Sequence, residues 1–260
     1  MSAADGVPAA DAHGPPRRVL GVDGCRQGWV VVTLVGGAVD GVEVLTTLSE
    51  ALADGPFAAV AVDMPIGLVD GSRDADVAAR QLLPGRASSV FSAPPRTVID
   101  GTREGVLTGH AQATARAVQV TGSGISMQAW RLVPKIVEVD ELVAAGHPLH
   151  EVHPEVAFAV LTGAALPRKR SWAGITTRRA VLARYGVELP DRFPGDEVAT
   201  PDDVVDAAVC AWVADGIAGA GPVLTLPESG TQYDRDRPVV ITARVPPPVT
   251  PGPRARPRAG

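Results

Sequence analysis

The chain has 260 residues, 45% apolar and 20% charged, with a formal net charge of −5. This is the balance of a soluble globular protein able to bury a core, arranged as one domain with insertions or at most two small ones. The acidic balance argues against a coat for nucleic acid, and no stretch approaches the ~20 uninterrupted apolar residues of a membrane helix.

Residues 1–16 are small, polar and contain Pro and Gly, and are expected to be disordered. They lack the basic then apolar order of a secretory signal. The first strand is expected over 19–22 and ends at Asp23, in a turn flanked by Gly21, Gly24 and Gly28. A second strand follows at 29–35. Gly36-Gly37 then signals a turn into a third at 42–45, so these three predict an antiparallel meander. A short helix over 47–53 supplies a crossover that makes the fourth strand, 58–63, parallel to the first.

A long insertion comes next. Helices are expected over 74–83 and 108–121, with 85–95 a loop between them. Ser126 caps a short helix to Leu132, and Pro134 starts a separate one running to Ala145, because proline suits a first helical turn and breaks an interior. A short fifth strand at 149–152 precedes helices over 154–161, 176–185 and 201–218. A closing strand pair is expected at 223–226 and 239–243, before a proline-rich flexible tail over 246–260. The order β-β-β-α-β-α-β-α, with helical insertions after strand four, predicts an RNase H-like α/β fold over 17–245.

The chemistry lies where acids interrupt buried-looking segments. Asp23 ends the first strand and Asp63 the fourth, each at the lip of a core where packing alone favours an aliphatic residue. The last long helix opens Thr200-Pro201-Asp202-Asp203, where Thr200 and Asp203 have the spacing of a capping box. Asp206 lies beyond the cap, in a run of Val and Ala, and shares a helix face with Asp203, where like charges repel. Adjacent strands one and four stand about 4.8 Å apart, so Asp23, Asp63, Asp203 and Asp206 are expected to share divalent cations. All-oxygen ligands suit Mg²⁺ or Mn²⁺, and two ions about 4 Å apart would activate water and stabilise the leaving oxygen of a phosphodiester.

Only Lys135 and Lys169 are lysines among 24 basic residues. A lysine kept in so arginine-rich a chain points to a need for a compact ammonium, and Lys135, on a helix, is the stronger candidate; Lys169, in a basic loop, reads as incidental. Arg86, Ser88, Ser89 and Arg96 form a loop set able to hold phosphate. Glu151, His153 and Glu155 cluster between the fifth strand and the next helix and are candidates to line the site, with His153 a possible proton shuttle. Cys25 and Cys210, the only thiols, fit a reducing cytoplasm, give no zinc ligand set and offer no evident nucleophile.

The segments Gly21–Arg26, Asp63–Gly67, Arg86–Phe91, Gln128–Trp130, Lys135–Asp140, Glu151–Glu155 and Asp202–Ala207 resemble the DUF429 family, described as predicted nucleases with an RNase H-like fold. The strand-borne acids and the Asp-x-x-Asp-Ala helix are more remotely similar to bacterial Holliday-junction resolvases. That similarity implies Asp23, Asp63, Asp203 and Asp206 as metal ligands, although Asp63 stands where the resolvases carry a longer Glu. Lys135, Arg86 and Glu155 match the DUF429 pattern alone.

The function these residues imply is phosphodiester hydrolysis with Mg²⁺ or Mn²⁺ on a nucleic acid or nucleotide. Asp23 is expected to bridge two ions, Asp63 and Asp206 to flank them and Asp203 to assist, with Lys135 and Arg86 holding phosphate and Glu155 a further catalytic candidate lining the site. The alternatives are a non-catalytic binding module on the same fold and an actin-like phosphotransferase. The latter pairs two copies of the sheet and has a second glycine-rich loop, where this chain shows one copy and no such loop.

Overall fold

The structure, a computed structural model, describes residues 16–230 and 232–247. The tails expected at 1–16 and 246–260 fall almost wholly outside the described residues.

Strands β1 (Arg18–Cys25), β2 (Gly28–Val35) and β3 (Ala38–Leu45) form the antiparallel meander. All three are longer than their apolar runs, because hairpin pairing carries them to the turns. After α1 (Leu48–Ala53), whose Thr47 and Glu50 make a complete capping box, β4 (Ala59–Val62) pairs parallel to β1. The insertion holds α2 (Asp74–Leu82), a 3₁₀ turn (Ala87–Ser89), α3 (Arg96–Arg103), α4 (His110–Thr121) and α5 (Met127–Ala144). Strand β5 (Leu149–Glu151) then joins β4 in parallel, giving a mixed five-stranded sheet of order β3-β2-β1-β4-β5, consistent with an RNase H-like fold. Helices α6 (Pro154–Thr162), α7 (Trp172–Ala183) and α8 (Pro201–Ala218) follow. Strand β6 (Val223–Leu226) closes on β9 (Ile241–Arg244), with a small hairpin, β7 (Tyr233–Asp234) and β8 (Arg237–Pro238), between them.

The strand alternation sorts side chains onto two faces. Val19 of β1, Val30 and Val32 of β2, and Ala59 and Ala61 of β4 pack with α8 on one face. Leu20, Val22, Val31, Val60 and Val62 pack with Val133, Ile136 and Val139 of α5 on the other. Helix α8 is apolar nearly all round and buried to match.

Three expectations need correction. Helix α5 runs unbroken through Pro134, which lies on its exposed side, where water can satisfy the carbonyl left without an amide partner. Burial of Val133, Ile136 and Val139 at helical spacing outweighs that lost bond. Arg96 belongs to a helix, α3, rather than to a loop: Val98 and Ile99 are fully buried, and the turn tightens at Gly101, where a Cβ would press on Leu107. Helix α7 begins at Trp172 instead of 176, because Ser171 accepts from the Gly174 amide and caps it there.

Candidate metal centre

Three elements deliver three carboxylates to one point. On β1 the face toward α8 carries Val19, Gly21 and Asp23 in alternation. The Asp63 amide donates to the Val22 carbonyl at 2.9 Å, extending the β1–β4 ladder one step past the strand, so Asp63 falls on the same face beside Asp23. Gly21 sets the height of α8. A Cβ there would lie 2.0 Å from the Ala211 nitrogen and 2.2 Å from the Ala207 carbonyl oxygen, so helix and strand touch backbone to backbone. That contact holds Asp206, one residue before Ala207, over the strand ends. One oxygen each from Asp23, Asp63 and Asp206 lies within 4.8 Å of the others.

The cluster is buried: Asp23 is 8% exposed and Asp206 0%, with Asp63 partly open. Burial, then Asp63 and Asp206, pushes the Asp23 carboxyl well above the ordinary range. Burial also raises Asp63 to about 6 and Asp206 to about 7, against the pull of the Lys169 ammonium. Lys169 Nζ donates to Asp206 Oδ2 at 2.5 Å. Burial works against the Lys169 charge, but Asp206, Asp63 and Asp23 outweigh it and hold its pKa above the usual value.

Asp206 Oδ1 is buried with no hydrogen-bond partner. An orphaned carboxylate oxygen costs about 1–3 kcal/mol or more when charged, so something must compensate it. Three carboxylates and one ammonium leave two negative charges uncompensated, the charge of one divalent cation. A hard, all-oxygen set fits Mg²⁺ or Mn²⁺ and gives no thiolate or imidazole for softer metals.

The other expected residues take separate places. Asp203 closes the capping box of α8 by accepting from the Thr200 amide at 3.0 Å, and its charge still raises Asp23 and Asp63. Glu155, buried at the start of α6, accepts from the fully buried Arg178 at 2.6 Å and stands 3.7 Å from Arg86. It lies close enough to raise Asp63 and Asp206. Arg86 Nη2 donates to the Leu166 carbonyl. Ser88 and Ser89 are exposed on the 3₁₀ turn, where Ser89 Oγ donates to the Arg86 carbonyl at 2.8 Å. Arg96 stands apart from these groups, its guanidinium paired with Asp140 at 2.8 and 2.9 Å and with Asp234. Lys135 sits 4.3 Å from the centre of the Trp29 ring and donates to the Gly28 carbonyl, and burial lowers its pKa.

His153 caps α6 with Nδ1 and meets the Ser89 carbonyl with Nε2 at 3.3 Å. Burial lowers its pKa, which favours the neutral ring, and its two nitrogens join the start of α6 to the 3₁₀ turn. Glu151 accepts from the Ile66 amide at 2.6 Å and from Arg73 at 2.5 Å; Arg73 also binds Asp76 at 2.6 Å. This knot fixes the segment that follows Asp63.

Lys169, set aside in the sequence as incidental, is the ammonium that enters the cluster, whereas Lys135 bonds to the hairpin. Its rarity among so many arginines was the available signal. Nothing in the sequence set Arg178 or Arg73 apart from the surface arginines, and the buried acids Glu155 and Glu151 that pair with them lie 23 and 78 residues away.

No curated protein and no solved structure matches the chain. Residues 21–231, which carry all three clustered acids, match the family described as "Protein of unknown function (DUF429)". The chain belongs to the DUF429 family.

Proposed function

We propose that this protein is a Mg²⁺- or Mn²⁺-dependent phosphodiester hydrolase acting on a nucleic acid or nucleotide. The observation that carries this reading is the partnerless Asp206 Oδ1 inside a triad of convergent carboxylates. Bound there, the metal would supply Lewis acidity, generating hydroxide from water near neutral pH and stabilising charge on the leaving oxygen. Asp23, Asp63 and Asp206 would hold it. Lys169 keeps Asp206 oriented. Arg26, in the turn after Asp23, and Arg168 and Arg170, on either side of Lys169, are exposed and offer guanidinium groups to phosphates at the rim. Arg170 is steadied by Asp202 at 3.1 Å.

The test is hydrolysis of single- and double-stranded DNA, RNA and bis-p-nitrophenyl phosphate with Mg²⁺, Mn²⁺ or EDTA. Turnover that needs the metal and falls more than about 100-fold in both Asp23→Asn and Asp206→Asn supports the reading. Equal turnover in EDTA, or in the double variant, refutes it.

The burial of Asp206 favours a second reading, a metal-binding module without turnover. Stoichiometric Mn²⁺ binding, with no cleavage of any of these substrates, would establish that alternative.

A further inference from the structure

The two oxygens of Asp206 are in different situations. Oδ2 accepts from the Lys169 ammonium at 2.5 Å, while Oδ1, equally buried, has no partner. Asp206, expected from the sequence to flank paired ions bridged by Asp23, therefore has only Oδ1 left for a metal, and the place of a cation on Oδ2 is taken by an ammonium.

The loop that delivers Lys169 is built for the purpose. The fully buried Arg178 donates to the Pro167 carbonyl at 2.8 Å while pairing with Glu155 at 2.6 Å. Ser171 Oγ donates to the Arg168 carbonyl at 2.7 Å. A Cβ on Gly174 would stand 1.9 Å from that same carbonyl oxygen, so α7 must present a glycine for the loop to pass so close. Arg168 and Arg170, on either side, are exposed, and Lys169 alone turns inward. A guanidinium is a broad planar fork, whereas an ammonium is a compact point charge closer in form to a metal ion. This accounts for a lysine at this place in a chain with only two lysines among 24 basic residues.

We propose that the Lys169 ammonium takes the position of a second cation, so that the centre binds a single divalent ion against Asp23, Asp63 and Asp206 Oδ1. The inference rests on the metal-centre reading above and replaces the two-ion arrangement expected from the sequence. The charges agree: one divalent ion neutralises the three carboxylates and the ammonium, whereas a second would add two positive charges, against which stand only the more distant Asp203 and the Arg178-paired Glu155.

The experiment is Mn²⁺ titration of the full chain, followed by calorimetry and by the magnetic resonance spectrum of bound Mn²⁺. One ion per wild-type chain, with the spectrum of an isolated Mn²⁺, is expected. In Lys169→Ala the stoichiometry should rise to two, with the broadened signal of an exchange-coupled pair. Two ions in the wild type overturn the inference and leave the metal-centre reading standing. No binding in the wild type overturns both. Lys169→Met, which keeps the length of the side chain and removes its charge, serves as a second variant: it should bind the second ion more weakly than Lys169→Ala, and failure of both folded variants to take a second ion also overturns the proposal.

Discussion

A Cβ on Gly21 would lie 2.0 Å from the backbone nitrogen of Ala211, so the first strand and the last long helix meet with no side chain between them. The metal centre depends on this contact, because Asp23 lies two residues beyond Gly21 and Asp206 one residue before Ala207, the other backbone contact. Substituting Gly21 forces the helix away from the sheet. Gly21→Ala is expected to destabilise the fold by at least about 3 kcal/mol, the upper end of the usual cost of overpacking. Gly41→Ala, where a Cβ meets nothing within 4 Å, should lie within about 0.5 kcal/mol of wild type. Urea denaturation of the two variants tests the contrast, and equal midpoints would contradict it.

The acid cluster makes the metal-free protein sensitive to pH. Burial raises Asp63 to about 6 and Asp206 to about 7, and Asp23 well above its usual range, whereas an unfolded aspartate titrates near ~3.9. The folded state therefore binds more protons than the unfolded chain between those values. The contribution of these three carboxyls is fully present below about pH 4 and is lost as pH rises through 6 and 7. It outweighs the opposite, smaller effect of the buried His150 and His153, whose pKa values burial lowers. The melting temperature in EDTA should fall by about 5 °C or more between pH 5 and pH 8. Glu151, raised by burial to about 7, contributes with the same sign but makes no part of the cluster. Saturating Mn²⁺ at pH 8 should therefore recover most of the loss but not all of it, and Asp23→Asn should abolish the recovery. A flat melting curve across this range would count against the clustered carboxylates.

Much of this arrangement could be read from residue types. Short runs of Val, Leu and Ala ending in Asp23 and Asp63, and a helix of Val and Ala interrupted by Asp206, carry a local contradiction between burial and charge that a partner or a site must resolve. Strand order followed because short turns leave one plausible meander and the helix after it makes the next strand parallel. What residue types did not disclose depends on how neighbouring segments pack and which polar groups claim each other. Lys169 turns inward because Arg178 and Gly174 shape its loop. Asp203 shares a face with Asp206, yet the box at the helix start claims it. Pro134 signals a break that the packing of Val133 and Ile136 overrides.

Both cysteines should be silent in the native state. Cys25 is 5% exposed and Cys210 0%, and both are free thiols. Burial, then Asp63 and Asp23, raises the Cys210 pKa well above the ordinary range, which further suppresses the thiolate. Ellman's reagent at pH 8 should find about zero reactive thiols per folded chain and two after guanidinium denaturation. Rapid modification of Cys210 in the native protein would show that the space beneath the acid cluster opens.

Arg73 supports Asp63 from outside the cluster. Its guanidinium is 2% exposed and joins Glu151, Asp76 and the Ile66 carbonyl, the last at 3.1 Å, while Glu151 holds the Ile66 amide. Both polar groups of Ile66, three residues past Asp63, are thus clamped by one ion pair. Arg73→Met removes the cation and leaves Glu151 and Asp76 buried without it. Breaking a buried pair from one side costs about 3–5 kcal/mol, so the variant should lose that much in chemical denaturation. The loss should shrink as pH falls toward 7, because without the pull of Arg73 burial keeps Glu151 protonated from a higher pH than in the wild type. With the segment after Asp63 released, Mn²⁺ affinity should also fall by roughly tenfold, the lower end of what loss of an outer supporting group costs a metal site. The double variant Arg73→Met, Glu151→Gln separates the two effects. Removing the uncompensated charge should restore part of the stability, but the guanidinium bond to the Ile66 carbonyl is still missing and metal affinity should stay low. Full recovery of metal affinity in that double variant would show that the knot stabilises the fold without positioning Asp63.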